Sequence, residues 1–199
     1  MSVFGQFIAR WKKFLIENYA TPLYENLVYT RKGKTRESTD TNYQRSCLFQ
    51  DNTSIVVGNM LTEVSSSEKY FVLSQYKSTE ANTGELRKIN ASVELSSLSK
   101  KYSGSSSSGY SKNIKSSNTP SYLYIVTAQS KYSDPGLLPT TTCKFIFKSN
   151  LGDDATPITV EKTDRIEFNG VAYQIDATDF IKYPNMCEVQ CSLDTRQIK

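Results

Sequence analysis

The sequence predicts a mainly β chain: a small barrel or sandwich of short antiparallel strands, with an N-terminal amphipathic helix and a long Ser-rich loop or arm. Three observations carry that reading. Two alternating runs meet at Asn169-Gly170, a dipeptide that accepts the positive φ angles of a two-residue hairpin turn. Other short runs alternate apolar with polar residues and are separated by turn residues. Thirteen Tyr and an aromatic share of 12%, in a chain rich in Ser and Thr, favour strands and contact surfaces over helical bundles.

Residues 3–19 read differently. Val3, Phe4, Phe7, Ile8, Trp11, Phe14, Leu15 and Tyr19 recur at three- and four-residue steps, and Gln6, Arg10, Lys13 and Glu17 fall largely on the other side. This spacing predicts an amphipathic helix, ended at Thr21-Pro22 because proline disfavours helical geometry just before it. Such a helix packs on its own sheet, seats in a partner's groove or lies on a membrane surface. Phe7, Trp11 and Phe14 are its candidate contact residues.

A polar, basic loop follows at 31–42, with Arg31, Lys32 and Lys34 as candidate contacts. The expected division is an N-terminal helix and arm over 1–42 and a β domain over 43–199. Strands are expected at 45–49, 69–76 and 89–95, with turn chemistry at Asn82-Thr83-Gly84. Residues 96–120 are of low complexity, too poor in apolar groups to order themselves and too long for an ordinary connection. They predict a flexible insertion, or an arm ordered against a partner. Cys143, Phe145 and Phe147 then alternate with Lys144, Ile146 and Lys148. Cys187, Val189, Cys191 and Leu193 supply a closing strand, and Tyr183-Pro184-Asn185 a contact tip.

The net charge is +4, unevenly spread. Residues 1–50 carry eight basic and four acidic side chains, and residues 96–120 carry four Lys and no acid. The other segments are mildly acidic. This pattern suits basic appendages reaching toward an acidic surface or a phosphate backbone, as well as ordinary solvated loops. Lys100, Lys101 and Lys112 are the candidate contacts of the Ser-rich segment.

Catalytic chemistry finds little footing. The chain has no His, which removes the commonest general base and metal ligand. The four Cys form no CxxC pair, so zinc spacing is lacking. Cys187 and Cys191, four residues apart on one strand, lie ~13 Å apart and cannot bridge each other; other pairings stay open. No phosphate-binding glycine motif and no GxSxG elbow occurs. Asp153-Asp154 and Asp176 with Asp179 read as turn and cap residues before they read as cation ligands. The expectation is a non-enzyme with no catalytic, cofactor or metal site. No run approaches the ~20 apolar residues of a membrane-spanning helix, and none resembles a signal peptide.

The hairpin is the best-defined segment. In the two-residue register Phe168 faces Val171 and Ile166 faces Tyr173, placing Ile166, Phe168 and Tyr173 on one sheet face around the Asn169-Gly170 turn. The run Thr163 to Ile175 also resembles a pattern of tailed-bacteriophage head–tail connector proteins, the stopper or head-closure proteins of the neck. Asp164, Ile166, Gly170, Tyr173 and Ile175 match it, and a strand like 187–193 completes that family's barrel. The likeness covers about residues 158–193. It implies a virion structural protein, assembled in the host cytoplasm and docked as a homo-oligomeric ring, hexameric or dodecameric, between portal or adaptor and tail. Its neighbours would be portal, adaptor and tail terminator, with non-specific DNA contact in the channel and no membrane span. A tail-completion or baseplate protein, and a membrane-surface or carbohydrate-binding β module, remain the alternatives.

Overall fold

A computed structural model describes residues 11–17, 21–31, 44–79, 81–103, 106–149 and 159–198. The chain is mainly β, and its strands close into two six-stranded antiparallel barrels. It divides into two compact units, Met1–Lys88 and Ile89–Lys199. The division therefore falls between Lys88 and Ile89, where the sequence reading divides the chain after residue 42.

The first unit contains β1 (Lys12–Glu17), β2 (Leu23–Arg31), β3 (Gln44–Phe49), β4 (Met60–Glu63), β5 (Lys69–Lys77) and β6 (Asn82–Lys88). Their order around the barrel is β1-β2-β3-β6-β5-β4, and the β1–β4 pairing closes it. Alternating residues fill the interior: Phe14 and Ile16 from β1, Leu27 from β2, Cys47 and Phe49 from β3, Tyr70 and Val72 from β5, Leu86 from β6. Phe14 and Tyr70 meet edge to face at 6.1 Å, the arrangement that aromatic quadrupoles favour. The Tyr70 hydroxyl donates to Glu68 Oε2 at 2.6 Å, so its polar end is satisfied inside the barrel wall.

Two expectations are corrected in this unit. Residues 12–17 are a strand, not a helix. Phe14 and Ile16 face inward, while Lys13, Leu15 and Glu17 are more exposed, a period of two hidden inside apolar spacing that also fits a helical step. Pairing with β2 on one side and β4 on the other satisfies the strand's backbone groups. The remaining residues of the expected helix, 3–10 and 18–19, lie outside the described residues. Asn82-Thr83-Gly84 is no turn either. It opens β6, and the β5–β6 connection is made at Ser78, whose amide donates to the Ala81 carbonyl.

The second unit contains β7 (Ala91–Ser103), β8 (Ser106–Ile125), α1 (Ala128–Ser133), β9 (Cys143–Lys148), β10 (Arg165–Phe168), β11 (Val171–Asp179) and β12 (Met186–Leu193). The barrel runs β10-β11-β12-β9-β8-β7 and closes through β10–β7. Here the hairpin register is as expected: Ile166 opposes Tyr173 and Phe168 opposes Val171. Asn169 and Gly170 both have positive φ, 49° and 76°, which matches a type I′ turn. Ile166 is fully buried, and Phe168 and Tyr173 pack against the same core, each edge to face with Phe145. The expected strands at 143–148 and 187–193 are present as β9 and β12, paired with each other.

The second unit also corrects the Ser-rich insertion. Most of residues 96–120 belong to β7 and β8, the two longest strands among the described residues. A long paired ladder needs no apolar composition when its cross-strand partners and ion pairs supply the order. The short helix α1 was not anticipated. Thr127 caps it by accepting from the Ser130 amide. Among the described residues no helix is long and apolar enough to cross a membrane.

Candidate functional site

The feature of the second unit that its barrel does not require is the far part of the β7–β8 hairpin. β7 pairs with β10 only over Glu94–Ser96, and β8 pairs with β9 only over Tyr122–Ile125. From Ser97 to Ser103, β7 pairs with β8 alone, in the register Ser97–Asn113 to Ser103–Ser106. This stretch is a two-stranded ribbon with roughly 20 Å of strand length. An isolated two-stranded hairpin is only marginally stable in water, so its ordering needs further contacts.

Side chains tether its base. Lys112 forms ion pairs with Glu94 on β7 and with Glu167 on β10, the latter at 2.9 Å. Lys115 reaches Asp164 at 2.8 Å and the Thr159 carbonyl at 2.9 Å. The Asp164 side chain is nearly inaccessible (4% exposed), and its Oδ2 also accepts from the Glu161 amide at 2.9 Å. Asp164 thereby shapes the turn into β10 and clamps β8 with one carboxylate. The C-terminal segment adds a third tether. The Tyr110 amide donates to the Gln197 carbonyl at 3.1 Å, and the Arg196 guanidinium lies over the Tyr110 ring at 5.8 Å.

Electrostatics follow from these contacts. The hydrogen bond from Lys112 holds the Glu167 carboxyl below its usual range. Burial opposes the charge on Lys112 itself, but its bonds to Glu94 and Glu167 leave its pKa raised. Both partners are thus committed to the tether. The ribbon beyond it presents Lys100, Lys101 and Tyr102 as exposed residues, Tyr102 being 69% exposed.

The expected contact residues separate accordingly. Lys100 and Lys101 stand on the exposed part of the ribbon. Lys112, also expected to be a contact, is a structural tether. Trp11 is exposed ahead of β1, whereas Phe14 is wholly buried in the first barrel and is a core residue instead of a contact. Arg31 is the last residue of β2, and Phe7, Lys32 and Lys34 lie outside the described residues. Tyr183 sits in the β11–β12 connection with the Lys182 ammonium 5.3 Å from its ring centre.

In that connection Asp179 caps a turn, the role the sequence reading gave it, and the turn displays Ile181, which that reading missed. Asp179 Oδ1 accepts from the Ile181 and Lys182 amides at 2.8 and 3.1 Å, and these bonds lower its pKa. The turn leaves Ile181 93% exposed. The only local signal is Asp followed by two apolar residues and Lys, which is too common to single out. Lys115 was missed as well, because its partner is 49 residues away.

Among the described residues no group of three or more Cys, Asp or Glu is arranged to hold a metal ion. Cys47 and Cys187 are buried thiols pushed up to about 12 by desolvation, which is the opposite of an activated nucleophile. Of Asp176 and Asp179, read as turn and cap residues before cation ligands, Asp179 caps the turn, and Asp176 sits where the β11–β12 register shifts. Asp153 and Asp154 lie outside the described residues. No protein-family model matches this chain, and no curated protein matches it.

Proposed function

We propose that this chain is a structural assembly subunit of a tailed-phage virion neck, forming a ring between portal or adaptor and tail. The observation that carries the assembly reading is the β7–β8 ribbon. It is a polar two-stranded arm that the second barrel does not need for closure, tethered at its base and exposed beyond it. Strand edges outside a sheet readily add a strand from another chain, so the arm suits a grip on the neighbouring copy. The neck assignment rests on the resemblance of Thr163 to Ile175. Its matching Asp164, Ile166, Gly170, Tyr173 and Ile175 build the turn, the hairpin and the core from which the arm departs. Lys100 and Lys101 supply positive charge for phosphates without any means of reading bases.

The test shortens the arm and keeps both lysine tethers, giving up only the Tyr110 contact with the C-terminal segment. Ser99 and Ser111 face each other across the ladder, so residues 100–110 can be replaced by Asn-Gly, a two-residue hairpin turn. Lys112 and Lys115 remain in place. The shortened protein should keep a cooperative unfolding transition and lose self-association in sedimentation velocity. Self-association undiminished by this replacement would refute the arm's role. A wider deletion over 103–117 is unsuitable, because it also removes both lysine tethers.

A further inference from the structure

All four cysteines are free and buried, but only two stand opposite each other. Cys143 opens β9, and Cys191 is its partner across the β9–β12 ladder. Both side chains enter the same core. Direct partners on antiparallel strands have Cα atoms about 4.5–5.5 Å apart, inside the roughly 4.4–6.8 Å span that a disulfide bridges. Cys187 lies four residues from Cys191 on the same strand and faces Phe147. Cys47 belongs to the first unit.

We propose that Cys143 and Cys191 form a modification site, a thiol pair that a small hydroperoxide converts into a cross-strand disulfide. The two thiols interact across the ladder: Cys191 holds the Cys143 thiol below its ordinary value, and Cys143 together with burial pushes that of Cys191 up. The Thr142 hydroxyl adds a weaker contact to the Cys143 sulfur at 4.0 Å. Cys143 is therefore the attacking sulfur and Cys191 the resolving one. Cys143 also stands at the first position of its strand.

The Cys143 thiolate attacks one oxygen of hydrogen peroxide. The O–O bond breaks, hydroxide leaves and takes a proton to become water, and Cys143 becomes a sulfenic acid. The Cys191 sulfur then attacks the Cys143 sulfur. The S–O bond breaks, the S–S bond forms, and the oxygen leaves as a second water with the Cys191 proton. Two thiols are oxidised by two electrons and one peroxide is reduced to two waters. The product staples β9 to β12 and would secure the second barrel once the protein leaves a reducing compartment. This inference holds whether or not the chain forms a ring.

The experiment uses the full chain, purified reduced, exposed to hydrogen peroxide under native conditions, quenched with acid, and then denatured in neutral buffer with excess N-ethylmaleimide so that every remaining thiol is alkylated. Non-reducing digestion and mass spectrometry should find the Cys143 peptide joined to the Cys191 peptide, with the loss of two hydrogens. Cys47 and Cys187 should remain alkylated, and dithiothreitol should reverse the link. In Cys191→Ala, Cys143 should instead be trapped by dimedone as its sulfenic acid. The wild-type mapping stands alone if that variant fails to fold. Four alkylated thiols after peroxide, a link through Cys47 or Cys187, or oxygen adducts without a link would each overturn the proposal.

Discussion

Gly170 and Gly84 are both needed, for different physical reasons. Gly170 has φ +76°, and a Cβ there would meet nothing within 4 Å. Its cost on substitution is backbone strain alone, about 1–2 kcal/mol. Gly84 is the reverse case. A Cβ would lie 2.3 Å from the Ser74 carbonyl oxygen and 2.6 Å from Phe49 Cε2, and the backbone oxygen cannot step aside. We expect Gly84→Ala to cost about 3 kcal/mol and Gly170→Ala less, about 1–2 kcal/mol, so that the urea midpoint falls further for Gly84→Ala. The paired carboxylates make a second prediction. Lys144 lowers the pKa of Asp134, Lys112 that of Glu167 and Lys88 that of Glu68, from ordinary values of 3.8 and 4.5. A folded-state pKa below the unfolded one gives stability that is present at neutral pH and lost as pH falls through the folded value. The urea midpoint should hold steady down to about pH 4.5 and decline below it; a midpoint that rises in acid would contradict these pairings.

At the scale of elements, legibility depended on whether the determining contacts are local. The hairpin at 165–175 could be read because turn chemistry and alternation lie within a few residues and agree. β1 could not, because Phe14 and Leu15 are adjacent apolar residues that complete a helical stripe as readily as a strand. What decides for strand is pairing with β2 and β4, and β4 lies more than forty residues away. The β7–β8 ribbon failed in the same way: its Ser and Lys look like a solvated loop until Lys112 meets Glu167 and Lys115 meets Asp164. A flexible insertion or an arm ordered against a partner was expected; a strand pair ordered within its own chain was not. The anchoring is testable by itself. Lys115→Met leaves the buried Asp164 carboxylate with only the Glu161 amide, and losing one member of such a pair costs about 3 kcal/mol. Hydrogen exchange in that variant should quicken at 106–115 before it changes in β9 and β12. Uniform loss across the barrel would assign Lys115 to the core and not to the ribbon.

At the scale of the whole molecule, two closed barrels each enclose a core of their own. Residues 89–199 expressed alone should therefore fold, with a β-type circular dichroism spectrum and a cooperative urea transition. Closure leaves the barrels few unpaired edges, so association through strand addition falls to what lies outside them, foremost the ribbon. The assembly reading is tested most directly by negative-stain microscopy of the purified full chain, alone and mixed with a portal ring. The account predicts closed rings that stack on the portal, and their absence when residues 100–110 are replaced by Asn-Gly. A protein that stays monomeric and never joins the portal would contradict it.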